Sequence, residues 1–145
     1  MMLRFTQTRI IQAPSAQVFN TVKDVHLYST WNPWVVDGAG EVKEGHCITV
    51  TAAMGKKRPR FKHKILTVDS PNILHWCDVG LFTIFAYGQR KRYFKDIGEG
   101  QCEYRCELTV TGIGAGLANL FFGEFMRNGL AVEADALKAH VENKG

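Results

Sequence analysis

The sequence lacks several features that mark large classes of protein. Nowhere in its 145 residues do about 18 apolar residues follow one another, and the stretch Met1–Arg9 holds no apolar block of signal-peptide length. These two absences favour a soluble protein, which we expect to be intracellular and cytoplasmic. The sequence also has no internal repeat, low-complexity stretch or linker. One domain over residues 1–145 is therefore predicted.

Cysteine is scarce, and its spacing suggests neither a disulfide framework nor a zinc site. Cys102 and Cys106 are four positions apart in a predicted strand. At about 3.3 Å per residue their Cα atoms lie about 13 Å apart, too far for a disulfide or a shared metal. No Cys-x-x-Cys or His-x-x-x-His pair occurs. We therefore predict free thiols, no metal and no cofactor.

Motifs for nucleophilic catalysis are missing as well. There is no Gly-x-Ser-x-Gly, and the serines Ser15, Ser29 and Ser70 fall at predicted turns or caps. Paired carboxylates on an inward face are absent too. The catalytic residues of any enzyme are therefore unknown from sequence. The candidates for an acid, an anion clamp or a hydrogen-bond donor are His63, Arg92 and Tyr104.

The composition that is present belongs to a globular protein. Hydrophobic residues make up 46% of the chain, charged residues 22% and aromatic residues 11%, which excludes a disordered tail or a collagen-like rod. The formal net charge of +4 tolerates anionic partners but is well short of a polybasic nucleic-acid-binding protein. We therefore expect no nucleic-acid partner.

Apolar periodicity predicts an α+β order of elements. Residues 5–11 are rich in β-branched and aromatic side chains and predict a first strand, and a helix follows from Ser15, a suitable N-cap. Turn residues then separate a series of antiparallel strands before a long final helix. The strands are predicted at 46–54, 60–69, 72–78, 82–95 and 101–112, and the helix at 116–143.

Two of these elements carry more information than the others. In the last strand, every second residue from Cys102 to Val110 is apolar or aromatic, which predicts one dry face and one wet face. Between Leu117 and Met126 the final helix has seven apolar residues in ten, spread around most of its circumference. One contact with a sheet cannot bury them all. Either a partner subunit or the N-terminal helices cover the remainder, or the rings line a ligand cavity.

Five features, in order along nearly the whole chain, resemble the START-like, polyketide cyclase/dehydrase (SRPBCC) superfamily. Residues 11–19, IQAPSAQVF, are similar to an opening pattern I-x-A-P-x-x-x-V-[FW]. Trp31-Asn32-Pro33, Glu44-Gly45, Leu74-x-Trp76 and the closing amphipathic helix follow. Members include lipid carriers, hormone receptors, aromatase/cyclases and quinone-binding proteins. The resemblance therefore implies a fold more firmly than it implies one function.

The implied fold is the helix-grip: a strongly bent antiparallel sheet wraps around a long C-terminal helix, with two short N-terminal helices and a cavity between sheet and helix. The implied ligand is a hydrophobic small molecule, either lipid, polyketide or quinone-like. Resemblance and periodicity together predict the ligand-binding residues Trp31, Trp34, Phe61, His63, Leu74, Trp76, Arg92, Phe94, Tyr104, Phe122, Met126 and Leu130.

The sequence departs from the family at one place. Many members carry an inward His-x-Phe in the sixth strand, where this chain has Arg92-Tyr93-Phe94. A buried arginine needs a carboxylate, a carbonyl or an anionic ligand. Arg92, and after it Arg90, are therefore candidates for binding an acidic ligand group. The alternative is that the run 90–92 lies in solvent or pairs with Glu103 or Glu107 on a neighbouring strand.

A second basic run covers residues 56–64, in which six of nine side chains are Lys or Arg and none is acidic. It can contact an anionic membrane, where each cation contributes about 1 kcal/mol. Alternatively it is a solvated hairpin tip that keeps a sheet edge from aggregating. Few aromatic side chains accompany these cations, so a stacking platform for bases is not supported.

Three functions remain open. The first is binding of a hydrophobic small molecule, with an acidic group as one option, in the internal cavity. The alternative is a cyclase/dehydratase-type enzyme acting on an aromatic or polyketide-like substrate, which requires polar side chains to converge on one point of the cavity. The second alternative is a protein-interaction module, in which Phe121 and Phe125 form a homodimer or partner interface.

Overall fold

Seven antiparallel strands form one continuous sheet in the order β1-β7-β6-β5-β4-β3-β2. The computed structural model describes residues 2–143, so that Met1 and residues 144–145 of the predicted domain lie outside the described part. The strands are β1 (Met2–Ile11), β2 (Val35–Ala39), β3 (Cys47–Ala52), β4 (Arg60–Asp69), β5 (Ile73–Asp78), β6 (Tyr87–Gly98) and β7 (Gln101–Thr111).

The helices occupy the two long connections and the C-terminus. Helix α1 (Ser15–Lys23) and a 3-10 helix (Val25–Thr30) join β1 to β2, and a second 3-10 helix (Leu81–Ile84) lies between β5 and β6. Helix α2 (Ala115–Asn143) has 29 residues and closes the fold. No helix within the described residues is both long enough and apolar enough to cross a membrane.

The concave face of the sheet is the dry face that the periodicity predicts. In β7 the side chains of Cys102, Tyr104, Cys106 and Val110 are buried, whereas their neighbours are half-buried. Tyr104 lies opposite Phe94 of β6, and their rings are 5.5 Å apart. Period-two alternation thus places one set of side chains in the core.

Helix α2 lies across this face and is tied to the edge strand β1. Lys138 Nζ donates to the carbonyl of Ile10 at 2.6 Å, and Arg9 pairs with Asp135 at 2.7 Å. The buried apolar side chains of its C-terminal half, which fill the space above the sheet, are Leu130, Ala134, Leu137 and Val141. This architecture is the α+β helix-grip fold, with the curled sheet wrapped around the C-terminal helix as predicted.

Two local predictions need correction. The strand predicted over 82–95 begins only at Tyr87, because residues 81–84 form short-range backbone hydrogen bonds, such as Thr83 N to Gly80 O, instead of pairing across strands. The edge strand β2 was not among the predicted ranges. It has five residues and a register shift between Val35 and Asp37, so it carries no readable alternation.

Candidate ligand-binding cavity

A cavity of about 180 Å³ lies between the concave face of the sheet and helix α2. Strands β2 to β7 form one wall and the helix turn holding Phe125 and Met126 forms the other. Most of the lining is apolar. Its apolar side chains are Trp34, Val35, Val50, Ala52, Phe61, Trp76, Cys77, Phe82, Leu108, Val110, Phe125 and Met126.

The wall at Trp34 depends on a close approach between a ring and the backbone of α2. A Cβ added to Gly129 would lie 2.1 Å from the Trp34 ring, so only glycine lets the indole lie against the helix. The Arg90 guanidinium lies over the Trp34 ring, 4.4 Å from its centre. Phe125 contacts the same indole edge to face at 5.6 Å. Ring, cation and helix therefore form one packed corner of the cavity.

Behind this corner lies a buried cluster of charges centred on Glu133 of α2. Arg92 Nη2 donates to Glu133 Oε1 at 3.2 Å, and Asn32 Nδ2 donates to Oε2 at 2.8 Å. Arg90 Nη2 lies 3.5 Å from Oε1. Arg92 is 0% exposed, Glu133 2% and Arg90 7%. Two cations thus share one carboxylate in the interior.

The Trp-Asn-Pro segment has a structural explanation in this cluster. Asn32 Oδ1 accepts hydrogen bonds from the backbone N–H groups of Trp34 at 3.0 Å and Val35 at 2.9 Å. The same side chain donates to Glu133 with its amide. Asn32 therefore anchors the start of β2 to α2 and holds Trp34 at the cavity wall.

The electrostatics of the cluster leave positive charge in excess. Burial acts to raise the pKa of the Glu133 carboxyl, but Arg90, Arg92 and the hydrogen bonds from Asn32 and Arg92 outweigh it and hold this pKa below its ordinary value. The carboxylate is therefore ionised at neutral pH. Within residues 2–143 it is the one acid paired with either arginine, so one positive charge is not neutralised.

Arg90 is the member of the cluster that reaches the cavity wall. Neither its Nε nor its Nη2 finds a hydrogen-bond partner among the described residues. The indole Nε1 of Trp34 has no such partner either, and it lies against Gly129 of α2. A buried cation with an unused N–H donor thus borders the cavity.

A second polar group on the wall combines His63 of β4 with Asp78 of β5. Nδ1 of His63 lies 3.2 Å from Oδ1 of Asp78, without the alignment of a hydrogen bond. The other oxygen of Asp78 accepts from the backbone N of Gly88 at 3.0 Å. A Cβ at Gly88 would lie 2.4 Å from that oxygen, so glycine is what admits the carboxylate. Trp76 stacks on the imidazole with ring centres 6.3 Å apart.

Nine of the twelve predicted ligand-binding residues fall into two groups. Five of them line the cavity: Trp34, Phe61, His63, Trp76 and Met126. Four others, Leu74, Phe94, Tyr104 and Leu130, are fully buried in the solid core and do not reach the cavity. Their periodicity correctly indicates that they face inward. The inward face of the sheet borders the solid core in one part and the cavity in another, and periodicity does not distinguish the two.

The remaining predicted residues lie elsewhere. Trp31 stacks on His140 at 5.8 Å beside a separate surface depression. Phe122 is 46% exposed, because α2 has turned that side away from the sheet. Arg92 lies behind the cavity with Glu133, whereas Arg90, the second candidate from sequence, is on the cavity wall. Neither arginine pairs with Glu103 or Glu107; Glu107 lies opposite Lys91 in the register.

The sequence interpretation missed two polar residues of the wall, Asp78 and Gln89. A signal for Asp78 was available, since His63 and Asp78 pair directly across β4 and β5, but the register could not be known. Gln89 carried no signal. No three His, Cys, Asp or Glu side chains come together as a metal site in the described part of the chain.

Comparison with known proteins identifies the family. The sequence model described as "Polyketide cyclase / dehydrase and lipid transport" matches residues 2–142. The chain belongs to this family. Its START-like, SRPBCC character, predicted from the motifs, is thereby confirmed. No sequence among the curated proteins matches this polyketide cyclase/dehydrase family member.

Solved structures share the fold of this polyketide cyclase/dehydrase family member at low identity. The Zhui aromatase/cyclase from Streptomyces sp. R1128 is similar with a TM-score of 0.83 and 11% identity, over 99% of this chain and 96% of that one. Norcoclaurine synthase from Thalictrum flavum, in complex with dopamine and hydroxybenzaldehyde, has a TM-score of 0.75 and 14% identity, over 100% and 89%. A START superfamily protein from Mycobacterium smegmatis has a TM-score of 0.74 and 14% identity, over 98% of this chain and 99% of that one.

Proposed function

We propose that this protein binds a hydrophobic small molecule in the cavity between the sheet and α2, and that Arg90 pairs with an anionic group of that molecule. The observation that carries the proposal is Arg90 itself. Its guanidinium is buried on the cavity wall, shares Glu133 with Arg92, and has N–H groups without a partner among the described residues. A buried cation in this state is stabilised by an anionic partner.

The walls favour a ligand with a flat apolar body. Trp34, Phe61 and Trp76 present rings to the cavity, and an apolar cavity of about 150 Å³ accommodates benzene in another protein. At about 180 Å³ this cavity suits a single aromatic ring with a short acidic chain, or one end of a longer molecule whose remainder leaves through the mouth. Aromatic acids, polyketide-like acids and fatty acids all have this chemistry.

Two structural neighbours support an aromatic ligand. One is an aromatase/cyclase, and the other is a synthase in complex with dopamine and hydroxybenzaldehyde, both of which are aromatic compounds. Their identity to this chain is 11% and 14%, so they support the class of ligand and not a particular compound.

The test compares a charged probe with its neutral analogue. Phenylpropanoate and phenylpropanamide are titrated into the protein by calorimetry, and we expect the acid to bind more tightly. Hydrogen bonds to charged groups contribute about 1.5–3 kcal/mol, which predicts that Arg90→Met weakens acid binding roughly 10- to 150-fold and leaves amide binding little changed.

The matched control is Lys91→Met, which removes a cation from the opposite face of the same strand. Lys91 is half-buried and its Nζ lies over the Tyr93 ring rather than at the cavity. This variant should bind the acid like the wild type. Equal affinity of the wild type for acid and amide contradicts the pairing with Arg90, and binding of neither probe contradicts a ligand site of this size.

A second function, of the cyclase/dehydratase type, is favoured by the His63–Asp78 pair. Asp78 stands beside Nδ1 of His63, which leaves Nε2 as the ring nitrogen available to a bound molecule. An imidazole oriented in this way can take a proton from the carbon next to a ketone, while a nearby guanidinium stabilises the enolate oxygen. Condensation or loss of water can then follow on an aromatic or polyketide-like substrate.

Exchange of α-protons for deuterium tests this second function without knowledge of the natural substrate. Benzoylpropanoate is incubated with the protein in deuterated water, and NMR follows loss of the signal next to the ketone. Accelerated exchange that His63→Gln abolishes and Asp78→Asn reduces supports acid-base chemistry at this pair. If the protein binds benzoylpropanoate but exchange is no faster than in buffer, the acid-base function is contradicted and ligand binding alone is supported.

A further inference from the structure

Apolar side chains are exposed in quantity at one end of the molecule. They come from residues 81–85 and 113–122, which we call the apolar rim. The two segments are in contact, since Gly114 N donates to the Phe85 carbonyl at 2.8 Å. Leu81 is 86% exposed and Leu120 74%. The exposed members of the rim are Leu81, Phe82, Ile84, Phe85, Ile113, Leu117, Leu120, Phe121 and Phe122.

The rim lies at the mouth of the cavity. Phe82 belongs to both the rim and the cavity lining, and Phe125 and Met126, on the next turn of α2, also line the cavity. An exposed apolar surface of this extent marks an interaction site in a monomeric protein. The partner therefore meets the protein where the cavity opens.

The strand register brings a basic hairpin to the same end of the sheet. Strand β3 ends and β4 begins beside the hairpin, with Thr51 opposite Arg60. At this end β5 also finishes, and Tyr87 at the start of β6 pairs with Thr111 at the end of β7. The exposed cations of the hairpin are Lys56, Lys57, Arg58 and Arg60. The sequence has no acid between residues 45 and 68.

The opposite end of the sheet has the reverse character. Four exposed acids lie there, Glu41 and Glu44 before β3, Asp69 at the end of β4 and Glu99 between β6 and β7, against one exposed lysine of these loops, Lys43. At the mouth end, Glu124 of α2 is the acid nearest to the rim in sequence. The molecule therefore presents an apolar and cationic end and an acidic end.

We infer that the mouth end docks on an anionic lipid bilayer, with the apolar rim in the headgroup region and the basic hairpin against anionic headgroups. A bilayer of this kind satisfies both features at once. A second copy of the chain fits less well, because a two-fold interface through the rim brings two basic hairpins towards one another. A nucleic acid would complement the charge of the basic hairpin, but it would leave the apolar side chains of the rim exposed to water.

Vesicle flotation with the full chain tests the inference. The vesicles contain phosphatidylcholine alone or phosphatidylcholine with added phosphatidylserine. The wild type should float with the anionic vesicles, far less with the neutral ones, and less again at high salt. Each near-surface lysine contributes about a fivefold factor in binding, so Lys56→Gln/Lys57→Gln should weaken it about 25-fold.

Two further variants sharpen the test. Leu117→Gln/Leu120→Gln removes apolar surface from exposed positions and should weaken flotation at least about tenfold. Lys23→Gln/Lys43→Gln removes the same number of exposed charges near the acidic end and should leave flotation unchanged.

Several outcomes overturn the inference. Equal binding to neutral and anionic vesicles overturns it, and so does binding to neither. An equal loss of flotation in Lys56→Gln/Lys57→Gln and in Lys23→Gln/Lys43→Gln also overturns it. So does a stable dimer in solution that Leu117→Gln/Leu120→Gln dissociates. Titration of the same variants with phenylpropanoate keeps the result separate from the proposed ligand function. A variant that loses flotation but still binds the acid supports membrane docking through the mouth end and leaves the proposed ligand site intact.

Discussion

The interior between the sheet and α2 has two halves of different construction. Around the C-terminal half of α2 it is solid, with Leu130, Leu137 and Val141 buried in the same core cluster as Phe94 and Tyr104. Around residues 125–126 it is hollow and opens towards the apolar rim. The charge cluster of Glu133 and the two arginines lies between them. Arg92 belongs to the solid half and Arg90 to the hollow half.

The two arginines of β6 lie in different surroundings. Two residues that alternate with Lys91 on β6 face the same interior, yet Arg92 is closed off with its carboxylate while Arg90 borders the cavity. We therefore expect Arg92 to contribute to stability, and Arg90 to contribute to the ligand recognition proposed above. The predictions below test that division.

The largest effect is expected from Glu133→Gln. The change leaves both buried arginines without their shared carboxylate, and breaking a buried pair in this way costs about 3–5 kcal/mol. Urea unfolding measures the loss. Asp135→Asn is the control on the same helix, because Asp135 pairs with Arg9 at an exposed position and should cost at most about 1 kcal/mol. Similar costs for the two variants contradict the role given to the cluster.

Truncation of apolar residues should distinguish the two halves directly. Leu137→Ala removes a fully buried side chain from the solid half and should lower the free energy of unfolding by about 2–5 kcal/mol. Met126→Ala enlarges a cavity that already exists, so its cost should be about 1 kcal/mol or less, with a change in affinity for phenylpropanoate instead. A larger stability loss at Met126 than at Leu137 argues against this division.

A smaller effect is expected where α2 meets the cavity corner. Gly129→Ala places a methyl group in the space that the Trp34 ring occupies. The overpacking should lower the free energy of unfolding by about 1–3 kcal/mol and weaken binding of the aromatic acid. Gly123→Ala lies in the same helix and meets only the end of the Asn119 side chain. It should be neutral or stabilising by up to about 1 kcal/mol. Unchanged stability and binding in Gly129→Ala contradicts the close packing of Trp34.

The smallest effect is a pH dependence of stability. The pKa of Glu133 in the folded protein lies below its ordinary value of 4.5, so its ionised form is favoured by folding. That contribution is fully present above about pH 4.5 and is lost as the pH falls through the folded pKa. Thermal melts recorded from neutral pH downwards should show a fall in the Tm of the wild type, and this fall should be smaller in Glu133→Gln. Parallel curves contradict the ionised assignment.

Much of the fold was predictable from sequence, and part of the site was not. Alternation in β7 and the apolar spacing of α2 reveal which side chains face inward, as at Tyr104 and Leu137. They do not reveal whether an inward residue meets another side chain or a cavity. That depends on how α2 crosses the sheet and on Gly129, a position whose importance is visible only beside Trp34.

The charged residues of the interior show the same limit. The sequence left open whether Arg92 lies inside or in solvent. It is buried, and the carboxylate that it contacts is that of Glu133, 41 residues away. Position 133 has no local signal, because a glutamate on an amphipathic helix normally faces solvent. The exposed rim was foreshadowed by the excess of apolar residues in the first half of α2.

A crystal structure of the protein with phenylpropanoate would show whether Arg90 pairs with an acid in the cavity. We expect the phenyl ring among Trp34, Phe61 and Trp76, and a carboxylate oxygen about 3 Å from a nitrogen of the Arg90 guanidinium. A carboxylate found on the basic hairpin, or beside Trp31 at the surface, with the cavity unaltered, would contradict it.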